Sequence, residues 1–315
     1  LVCIANDKLI GVRDPLGIRP LVLGKMNESY IFASETCALD IIGAKFVREV
    51  ENGEVVVISA DGIKSFKPFP KKPERPCIFE YIYFARPDSI VGGKSIYECR
   101  KGFGRELANE SNVEADMVIP IPDSGVPSAI GYAEQAGIPF ELGITRNHYV
   151  GRTFIQPKQS IRSFGVRLKH NANRTLVTGK RIVLIDDSIV RGTTSVKIVQ
   201  MMREAGAKEI HFRVSSPPIT HSDFYGIDTP SKDQLLASTK SVAEMCEYLG
   251  ADSLAFLSIE GIYQALGHKD GRNADCPQYT DHCFTGDYPT LLEDESGGEL
   301  NSQLSFLSMA EPHEH

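Results

Sequence analysis

The sequence predicts an α/β protein whose mostly parallel sheet is preceded by a smaller, antiparallel β-rich segment of α+β type. Residues 1–70 contain short apolar runs separated by turn signals such as "DPLG" and "NGE", which is typical of antiparallel strands. From residue 77 onward, short apolar strands alternate with segments of helical spacing. Helices that connect strands in this rhythm act as crossovers, and crossovers join parallel strands.

Composition places the chain among ordinary globular proteins. Its 315 residues are 42% hydrophobic, which is enough for two domains with sizeable cores. The net charge of -7 argues against broad electrostatic attraction to nucleic acid or an anionic membrane. No bilayer-length apolar run and no signal peptide is present in this sequence, so we expect a cytoplasmic protein. The chain begins at Leu1 within a strand-like pattern, and we expect it to be a fragment.

In residues 1–70, the runs "LVCIA", "LIGVR", "PLVLG", "YIFAS" and "EVVVIS" predict strands, and "CALDIIGA" predicts a short helix. The lysine and proline cluster at 66–76 fits neither periodicity and predicts a connector.

Residues 71–266 are predicted to form the second domain. Helices are expected in "SIYECRKGFGRELANES", "SGVPSAIGYAEQAG", "TSVKIVQMMREAGA" and "IEGIYQALG", and strands in "ADMVIPIP", "IPFELGI", "RIVLID", "EIHFRVSS" and "SLAFLS". A basic excursion over about 145–180 interrupts them, and loops of that length are functional or disordered. Residues 267–315 are predicted to be an irregular C-terminal region with an acidic tail.

Two adjacent acids, Asp186 and Asp187, end the predicted strand in "RIVLIDDSIVRGTTS". Ligands of parallel α/β sheets bind at the carboxyl ends of strands. Two neighbouring carboxylates repel each other, so a divalent cation or a vicinal diol would relieve their proximity.

A hydroxyl-rich loop follows the acids and leads into a predicted helix. Amide groups at a helix start form a natural anion site, well suited to a phosphate. The alternative is that Asp187 and Ser188 merely cap the helix, but this leaves the rest of the pattern unexplained. The residues assigned to phosphate binding are Ser188, Ile189, Val190, Arg191, Gly192, Thr193 and Thr194.

The stretch "VLIDDSIVRGTT" resembles the phosphoribosyl pyrophosphate (PRPP) binding motif of type I phosphoribosyltransferases. The resemblance implies that Asp186 and Asp187 contact the ribose hydroxyls and Mg²⁺, while the loop holds the 5-phosphate. It also implies a type I phosphoribosyltransferase core.

Two further segments fit the same chemistry. The turn in "VIPIPDSGVPSAIG" offers Asp123, Ser124 and Gly125 to a pyrophosphate, with the Ser124 hydroxyl as a third Mg²⁺ contact, although a serine helix cap explains this turn equally well. The basic excursion resembles the flexible loop of these enzymes, and Arg152 and Lys158 are assigned there. The alternative is that these side chains are simply solvated.

The segments "RDPLGIRPLVLG", "FEYIYFARPDS" and "RNHYVGRTFIQP" resemble the glutamine PRPP amidotransferase family, and the resemblance extends from residue 1 to about residue 290. It implies that an N-terminal-nucleophile glutaminase, of which residues 1–70 are the end, supplies ammonia to the transferase. The expected products are 5-phosphoribosylamine, pyrophosphate and glutamate, in the first committed step of purine (IMP) synthesis. The glutaminase's N-terminal cysteine is absent from this sequence. Feedback by purine nucleotides and a homo-oligomer are further implications, and "FEYIYFARPDS" is either part of an ammonia path or a core strand.

Cysteine usage bears on a possible cofactor. Seven cysteines, odd in number and widely spread, predict free thiols. Some members of the family carry a 4Fe-4S cluster on four cysteines, of which Cys77 and Cys283 match here while Asp223 and Thr280 occupy the other two positions. Neither Cys246 nor Cys276 has a spacing specific for substitution, so we predict that the cluster is absent.

Two alternatives remain beside this enzyme. One is a type I phosphoribosyltransferase that uses a free base as nucleophile, against which the β-rich first 70 residues argue. The other is a non-catalytic PRPP-sensing regulator that keeps the pocket without the reaction.

Overall fold

The computed structural model describes residues 1–147, 170–227 and 229–292. The first part of the chain forms two antiparallel sheets, with strand orders β1-β2-β6-β7 and β4-β3-β5, as its short apolar runs predict. Its elements are β1 Val2–Ala5, β2 Lys8–Val12, β3 Val22–Met26, β4 Ser29–Ala33, α1 Thr36–Ile42, β5 Lys45–Glu49, β6 Val55–Ser59 and β7 Gly62–Phe66. The predicted helix α1 is confirmed, and it ends at Gly43 in the left-handed conformation.

A parallel four-stranded sheet with the order β10-β13-β14-β15 organises the second part, as the alternating pattern predicts. Short elements lead into it, namely a π-helical turn Glu80–Phe84, β8 Ile90–Val91 and β9 Lys94–Ser95. The elements that follow are α2 Ile96–Ser111, β10 Met117–Pro120, α3 Val126–Ala136, β11 Ile144–Arg146, β12 His170–Ala172, α4 Arg174–Val177, β13 Arg181–Asp186, α5 Thr193–Glu204, β14 Glu209–Val214, a 3-10 turn Lys232–Gln234, α6 Leu236–Thr239, α7 Val242–Leu249, β15 Ser253–Phe256, α8 Ile259–Ala265 and α9 His282–Thr285.

Side chains of β13 alternate between two hydrophobic cores, one on each face of the sheet. Val183 and Ile185 belong to the core that contains α2 and α3, whereas Ile182 and Leu184 belong to the core that contains α5 and α7. All four side chains are fully buried, which is why this strand reads as a continuous apolar run. Within the described ranges, no helix is long and apolar enough to cross a membrane.

The prediction that "IPFELGI" forms a full strand of the sheet is wrong. Only one parallel bridge forms, between Val118 and Phe140, flanked by hydrogen bonds from Val118 N to Pro139 O and from Glu141 N to Val118 O. Pro139 has no N–H to extend the ladder. The chain then leaves the sheet and Ile144 begins β11.

The aromatic segment "FEYIYFARPDS" is also not a strand. Residues Glu80–Phe84 wind into a π-helical turn. The buried guanidinium of Arg100 donates hydrogen bonds to the carbonyl oxygens of Tyr81 at 3.0 Å and Ala85 at 2.7 Å. These bonds satisfy carbonyl groups that a strand would have paired with a neighbouring strand.

The ends of the basic excursion are more regular than predicted. Strands β11 and β12 pair in an antiparallel ribbon, with Arg146 opposite His170, and α4 follows. Backbone pairing between 144–146 and 170–172 brings the two ends of the excursion together. The excursion's middle, 148–169, lies outside the described residues.

The C-terminal region is less peripheral than its polar sequence indicates. Thr280 and Asp281 are fully buried, and Thr280 bonds through its backbone to Pro76 and Ile78. These hydrogen bonds attach the segment to the start of the second part of the chain. The acidic tail from residue 293 lies outside the described residues.

The closest helix pair, α2 and α3, provides a test of the fold. A Cβ at Gly104 would overlap the carbonyl oxygen of Ser128, whereas one at Gly102 would lie 3.4 Å from Ala265 Cβ. We expect Gly104→Ala to lower the free energy of unfolding by about 1–3 kcal/mol, because the helices must separate.

The matched control is Gly102→Ala on the same helix. It should be neutral or slightly stabilising, since alanine favours helices by about 1 kcal/mol over glycine. Urea unfolding of the three proteins measures both effects, and equal stability of the two variants would contradict the packing described here.

Candidate active site

The carboxyl ends of β10 and β13 bring two predicted binding segments together. Pro120 is in register with Ile185, and the N–H of Ile121 donates to the carbonyl oxygen of Ile185 at 2.8 Å. The turn that follows places Gly125 so close to Ile185 that a Cβ there would overlap its carbonyl oxygen. Asp186 is the next residue of β13, so the turn and the acids lie at the same edge of the sheet.

Both acids are buried at this edge. Asp186 is 8% exposed and Asp187 is 5% exposed. Burial, and secondarily the neighbouring charge of Asp187, raises the pKa of Asp186 well above its usual range. Hydrogen bonds stabilise the pair locally, because the N–H of Asp187 donates to Asp186 Oδ1 at 3.0 Å and the Ser188 hydroxyl donates to Asp187 Oδ2 at 2.6 Å.

The 188–194 loop leads from the acids into α5. Gly192 adopts the left-handed conformation with φ 73° and is the N-cap of the helix. The N–H of Val196 donates to the carbonyl oxygen of Gly192 at 3.0 Å and makes the first hydrogen bond of the helix. The N–H groups before Val196 have no acceptor within the helix and are directed to the loop. An anion in the loop would receive these amides and the hydroxyls of the exposed Thr193 and Thr194.

The seven loop residues assigned to phosphate binding differ in their exposure to solvent. Ile189 is 2% exposed and anchors the loop in the core, and Gly192 is buried under neighbouring side chains. Ser188 and Val190 are half-buried. Arg191 is exposed and donates to Gln234 Oε1 at 3.0 Å rather than pointing at the acids.

Both helix-capping alternatives are wrong. The N-cap of α3 is Gly125, not Ser124, and the N-cap of α5 is Gly192, not Asp187 or Ser188. Neither helix has a side-chain cap hydrogen bond. The polar side chains that precede the two helices are therefore not explained by capping.

The turn at 122–125 is partly occupied by a basic side chain. Arg146 of β11 forms an ion pair with the exposed carboxylate of Asp123, and Ser124 beside it is half-buried. Arg146 lies at the base of the basic excursion, so that excursion starts next to the turn. Arg152 and Lys158 lie outside the described residues.

The oxygen donors at the sheet edge fit Mg²⁺. Asp186 and Asp187 supply two carboxylates, and Ser124 a hydroxyl on the adjacent turn. Among the described residues, no group of three or more His, Cys, Asp or Glu side chains forms a metal site. Mg²⁺ usually binds through one or two carboxylates together with substrate phosphates and water, so a two-carboxylate edge is sufficient.

Arg100 is a charged residue near the acids that sequence reasoning missed. It is 2% exposed, and burial lowers the pKa of its guanidinium while the charge of Asp187 acts in the opposite direction. Its position in an otherwise apolar stripe of α2 was the available signal. This buried cation partly compensates the negative charge of Asp187.

The four positions predicted to correspond to cluster ligands lie in neighbouring segments. Cys77 and Thr280 form a parallel β-bridge, and Thr220 and His221 bond to the carbonyl oxygen of Cys283. Burial raises the pKa of the Cys77 thiol to about 12, and burial also raises that of the Cys283 thiol.

These residues do not fit a 4Fe-4S cluster, which needs four thiolates. The Thr280 hydroxyl donates to the carbonyl oxygen of Arg75 at 2.6 Å. Asp223 Oδ2 accepts the N–H groups of Tyr225 and Ile227, and its Oδ1 lies 2.8 Å from Nε2 of the buried His282. Two of the four positions are thus occupied by oxygen atoms with other partners.

The fold and the site define a phosphoribosyltransferase of type I, and a family model described as "Phosphoribosyl transferase domain" matches residues 95–217. The chain is 61% identical to the amidophosphoribosyltransferase of Rhizobium etli over 314 residues, covering 98% of this chain and 63% of the relative. The Bacillus subtilis amidophosphoribosyltransferase is 52% identical, covering 91% and 60%.

A solved structure of glutamine PRPP amidotransferase from B. subtilis, complexed with ADP and GMP, matches with a TM-score of 0.84 and 51% identity. The match covers 92% of this chain and 63% of that one. This chain therefore belongs to the amidophosphoribosyltransferase family, and it spans about six tenths of the length of these relatives.

The raised pKa of Asp186 has a consequence for stability. A carboxyl group whose pKa is higher in the folded protein destabilises that protein at any pH above the pKa of the same group in the unfolded chain, because folding then requires either proton uptake or a buried charge. We expect Asp186→Asn to raise the apparent Tm at pH 7 by about 2 °C or more. The difference should shrink as the pH falls toward the pKa of Asp186 in the unfolded chain, below which both states of the unsubstituted protein bind the proton.

Asp116→Asn is the matched control at the opposite end of the sheet. Hydrogen bonds from the backbone and side chain of Arg181 lower the pKa of Asp116, so this substitution should lower the Tm at pH 7 and have less effect in acid. Thermal unfolding at pH 3, 4, 5.5 and 7 measures both trends, because the contribution of Asp116 is lost only below the ordinary carboxyl pKa of about 4. A Tm of Asp186→Asn below that of the unsubstituted protein at pH 7 would contradict this electrostatic account.

Proposed function

We propose that this chain is part of an amidophosphoribosyltransferase that forms 5-phosphoribosylamine from PRPP and glutamine-derived ammonia, with release of pyrophosphate and glutamate. This is the first committed step of purine synthesis. The proposal is carried by the proximity of the two acids, the 188–194 loop and the 122–125 turn at one sheet edge. The chain covers 63% of its Rhizobium relative, so the activity of the whole enzyme is part of the proposal.

The three segments match the three parts of PRPP. The amides and hydroxyls of the 188–194 loop suit the 5-phosphate, because a helix start offers N–H donors and partial positive charge. Asp186 and Asp187 accept hydrogen bonds from the vicinal ribose hydroxyls. Asp123, Ser124 and Gly125, at the same sheet edge, would bind the pyrophosphate.

The reaction breaks the bond between C1 and the pyrophosphate oxygen and forms a bond between C1 and ammonia nitrogen. Positive charge develops on the ribose, and buried carboxylates next to it stabilise that charge. Bound Mg²⁺, held by Asp186, Asp187 and Ser124, would neutralise charge on the pyrophosphate. Ammonia is already nucleophilic, so the acids act by position and charge and need not remove a proton.

The basic excursion completes this site in our proposal. Arg152 and Lys158 would contribute positive charge to the leaving pyrophosphate, and closure over the substrate would exclude water that competes for C1. The ion pair of Arg146 with Asp123 would give way to the pyrophosphate when the substrate binds.

We assign residues 1–70 to the end of the glutaminase domain, 71–266 to the transferase domain and 267–315 to the C-terminal region. The segment around the π-helical turn contacts the first of these, since Arg19 pairs with Glu80 at 3.1 Å and Glu35 Oε2 accepts the N–H of Arg86 at 2.7 Å. It also contacts helix α2 of the second, through the hydrogen bonds from Arg100 described above. Ammonia would pass along this segment. We also propose a cytoplasmic homo-oligomer inhibited by purine nucleotides, in line with the ADP and GMP complex of the B. subtilis relative.

Substitution of the acids tests the proposed reaction. In the full-length protein, phosphoribosylamine formation from PRPP, ammonia and Mg²⁺ should fall by about 100-fold or more in Asp186→Asn and Asp187→Asn, because the developing charge loses its stabilisation. Asp116→Asn, at the other end of the sheet, should retain its rate. No turnover by the unsubstituted protein would overturn the enzymatic proposal, and full activity of both site variants would overturn the assigned roles.

Metal analysis tests the predicted absence of the cluster. Protein purified under anaerobic conditions should contain well under one iron and one sulfide per chain, because two of the four positions lack thiols. About four irons per chain would show that other cysteines take their place. Ammonia-dependent activity should survive treatment with an iron chelator.

A further inference from the structure

The segment Lys232–Thr239, which we term the brace, contacts the 188–194 loop from outside the predicted site. It consists of the 3-10 turn Lys232–Gln234 and helix α6, and it follows strand β14 in sequence. Nothing in its sequence marks it as functional. Its contacts to the loop distinguish it from the rest of the surface.

Two consecutive loop residues are hydrogen-bonded to the brace. The N–H of Leu236 donates to the carbonyl oxygen of Val190 at 2.9 Å, and Arg191 Nη2 donates to Gln234 Oε1 at 3.0 Å. The first bond fixes the peptide that precedes Arg191. The second holds the long side chain of Arg191 away from the anion-binding side of the loop.

A side-chain contact adds to these bonds. Leu236 lies over Gly192, where a Cβ would be 2.6 Å from Leu236 Cδ2 and 3.2 Å from Tyr248 Cε1. Gly192 has a φ of 73°, which only glycine adopts at low cost. The brace therefore packs on the residue whose conformation directs the first amides of α5 toward an anion.

The brace itself is anchored in both cores. Leu235 is fully buried in the core on the α2 and α3 face, and Leu236 is 6% exposed in the core on the α5 and α7 face. Adjacent leucines pointing into opposite cores fix the segment at the carboxyl edge of the sheet. A segment fixed in this way limits movement of the loop that it contacts.

We propose that Gln234 and Leu236 are positioning residues for the substrate's 5-phosphate. Leu236 acts through the backbone of Val190 and Gly192, and Gln234 acts through the side chain of Arg191. This inference rests on the proposed function for the identity of the phosphate ester. The loop amides are already arranged before the substrate binds. The conformational entropy of ordering the loop is therefore lost on folding, and substrate binding does not have to supply that free energy.

The first test compares two inhibitors of the full-length protein. Ribose 5-phosphate reports on the 188–194 loop, and pyrophosphate reports on the 122–125 turn. Gln234→Ala should raise the KM for PRPP and the inhibition constant of ribose 5-phosphate by about threefold to tenfold, with the inhibition constant of pyrophosphate and kcat within about twofold of the unsubstituted values.

Leu236→Ala should produce a shift in the same direction of about tenfold or more, and Leu236→Met should restore most of the affinity because it refills the space over Gly192. Lys232→Ala, an exposed change in the same segment, is the matched control and should leave all constants unchanged. Equal weakening of ribose 5-phosphate and pyrophosphate would indicate general destabilisation and overturn the proposal, as would unchanged constants in Gln234→Ala and Leu236→Ala.

A double-mutant cycle tests the contact directly. Gly192→Ala meets the backbone strain at its φ and close contacts with Leu236 and Tyr248, and only the contact with Leu236 is relieved in a Leu236→Ala background. Gly192→Ala should therefore weaken ribose 5-phosphate binding less in that background. Additive effects of the two substitutions would show that the contact between Leu236 and Gly192 does not determine the affinity for ribose 5-phosphate.

Calorimetric titration of ribose 5-phosphate with Mg²⁺ present measures this binding without turnover. If the unsubstituted protein binds the sugar phosphate but makes no phosphoribosylamine, the proposed function fails while the positioning role remains supported by the variants. If it is active but the variants bind as tightly as the unsubstituted protein, the positioning role alone fails.

Discussion

Parallel pairing of β13 on both of its edges is the interaction on which the rest of the structure depends. Its six residues are aligned with β14 along their whole length, and four of them with β10. Because parallel strands end at a common edge, this pairing determines where the 122–125 turn, the acids and the start of the 188–194 loop lie. The carbonyl oxygen of Asp186 also accepts the N–H of Ser215 at 2.9 Å, so the ladder continues to the last residue of the strand. Displacement of β13 by one residue would exchange the side chains that face the two cores and would move the acids out of the site.

The site lies at an electrostatically unfavourable place in the fold. Two buried acids follow each other in sequence, and the pKa of Asp186 is raised by that burial. Local donors and the buried Arg100 reduce the repulsion without pairing both carboxylates completely. A site that is left short of positive charge in this way favours a ligand that carries a cation or hydroxyl donors. The packing of the hydrophobic strand holds the two acids close together although their charges repel. This arrangement lowers the stability of the folded protein but prepares the site to bind a ligand.

Sequence reasoning was most successful where periodicity and chemistry agreed. The parallel strands, the major helices and the antiparallel first segment follow from apolar patterns, and the acid pair stands out because no ordinary strand end requires it. It failed for "IPFELGI", where one proline removes a ladder donor, and for "FEYIYFARPDS", where Arg100 stabilises a π-helical turn from a distant position in sequence. Such tertiary hydrogen bonds leave no local signal. The brace was missed for the same reason, since its effect on the loop depends on a backbone N–H and on the packing of Leu236.

The region that resembles a cluster site is held together by backbone and side-chain contacts. Thr280 joins Cys77 in a β-bridge and donates to Arg75, while Asp223 lies against His282. These contacts connect three separate stretches of chain, as a metal cluster bound to the same positions would. Buried polar contacts of this kind are costly if one partner is removed, because the other is left without a substitute in the interior. Cysteine at position 280 or 223 alone would lose these hydrogen bonds and would leave a site with three thiols, one short of the four that a cluster needs.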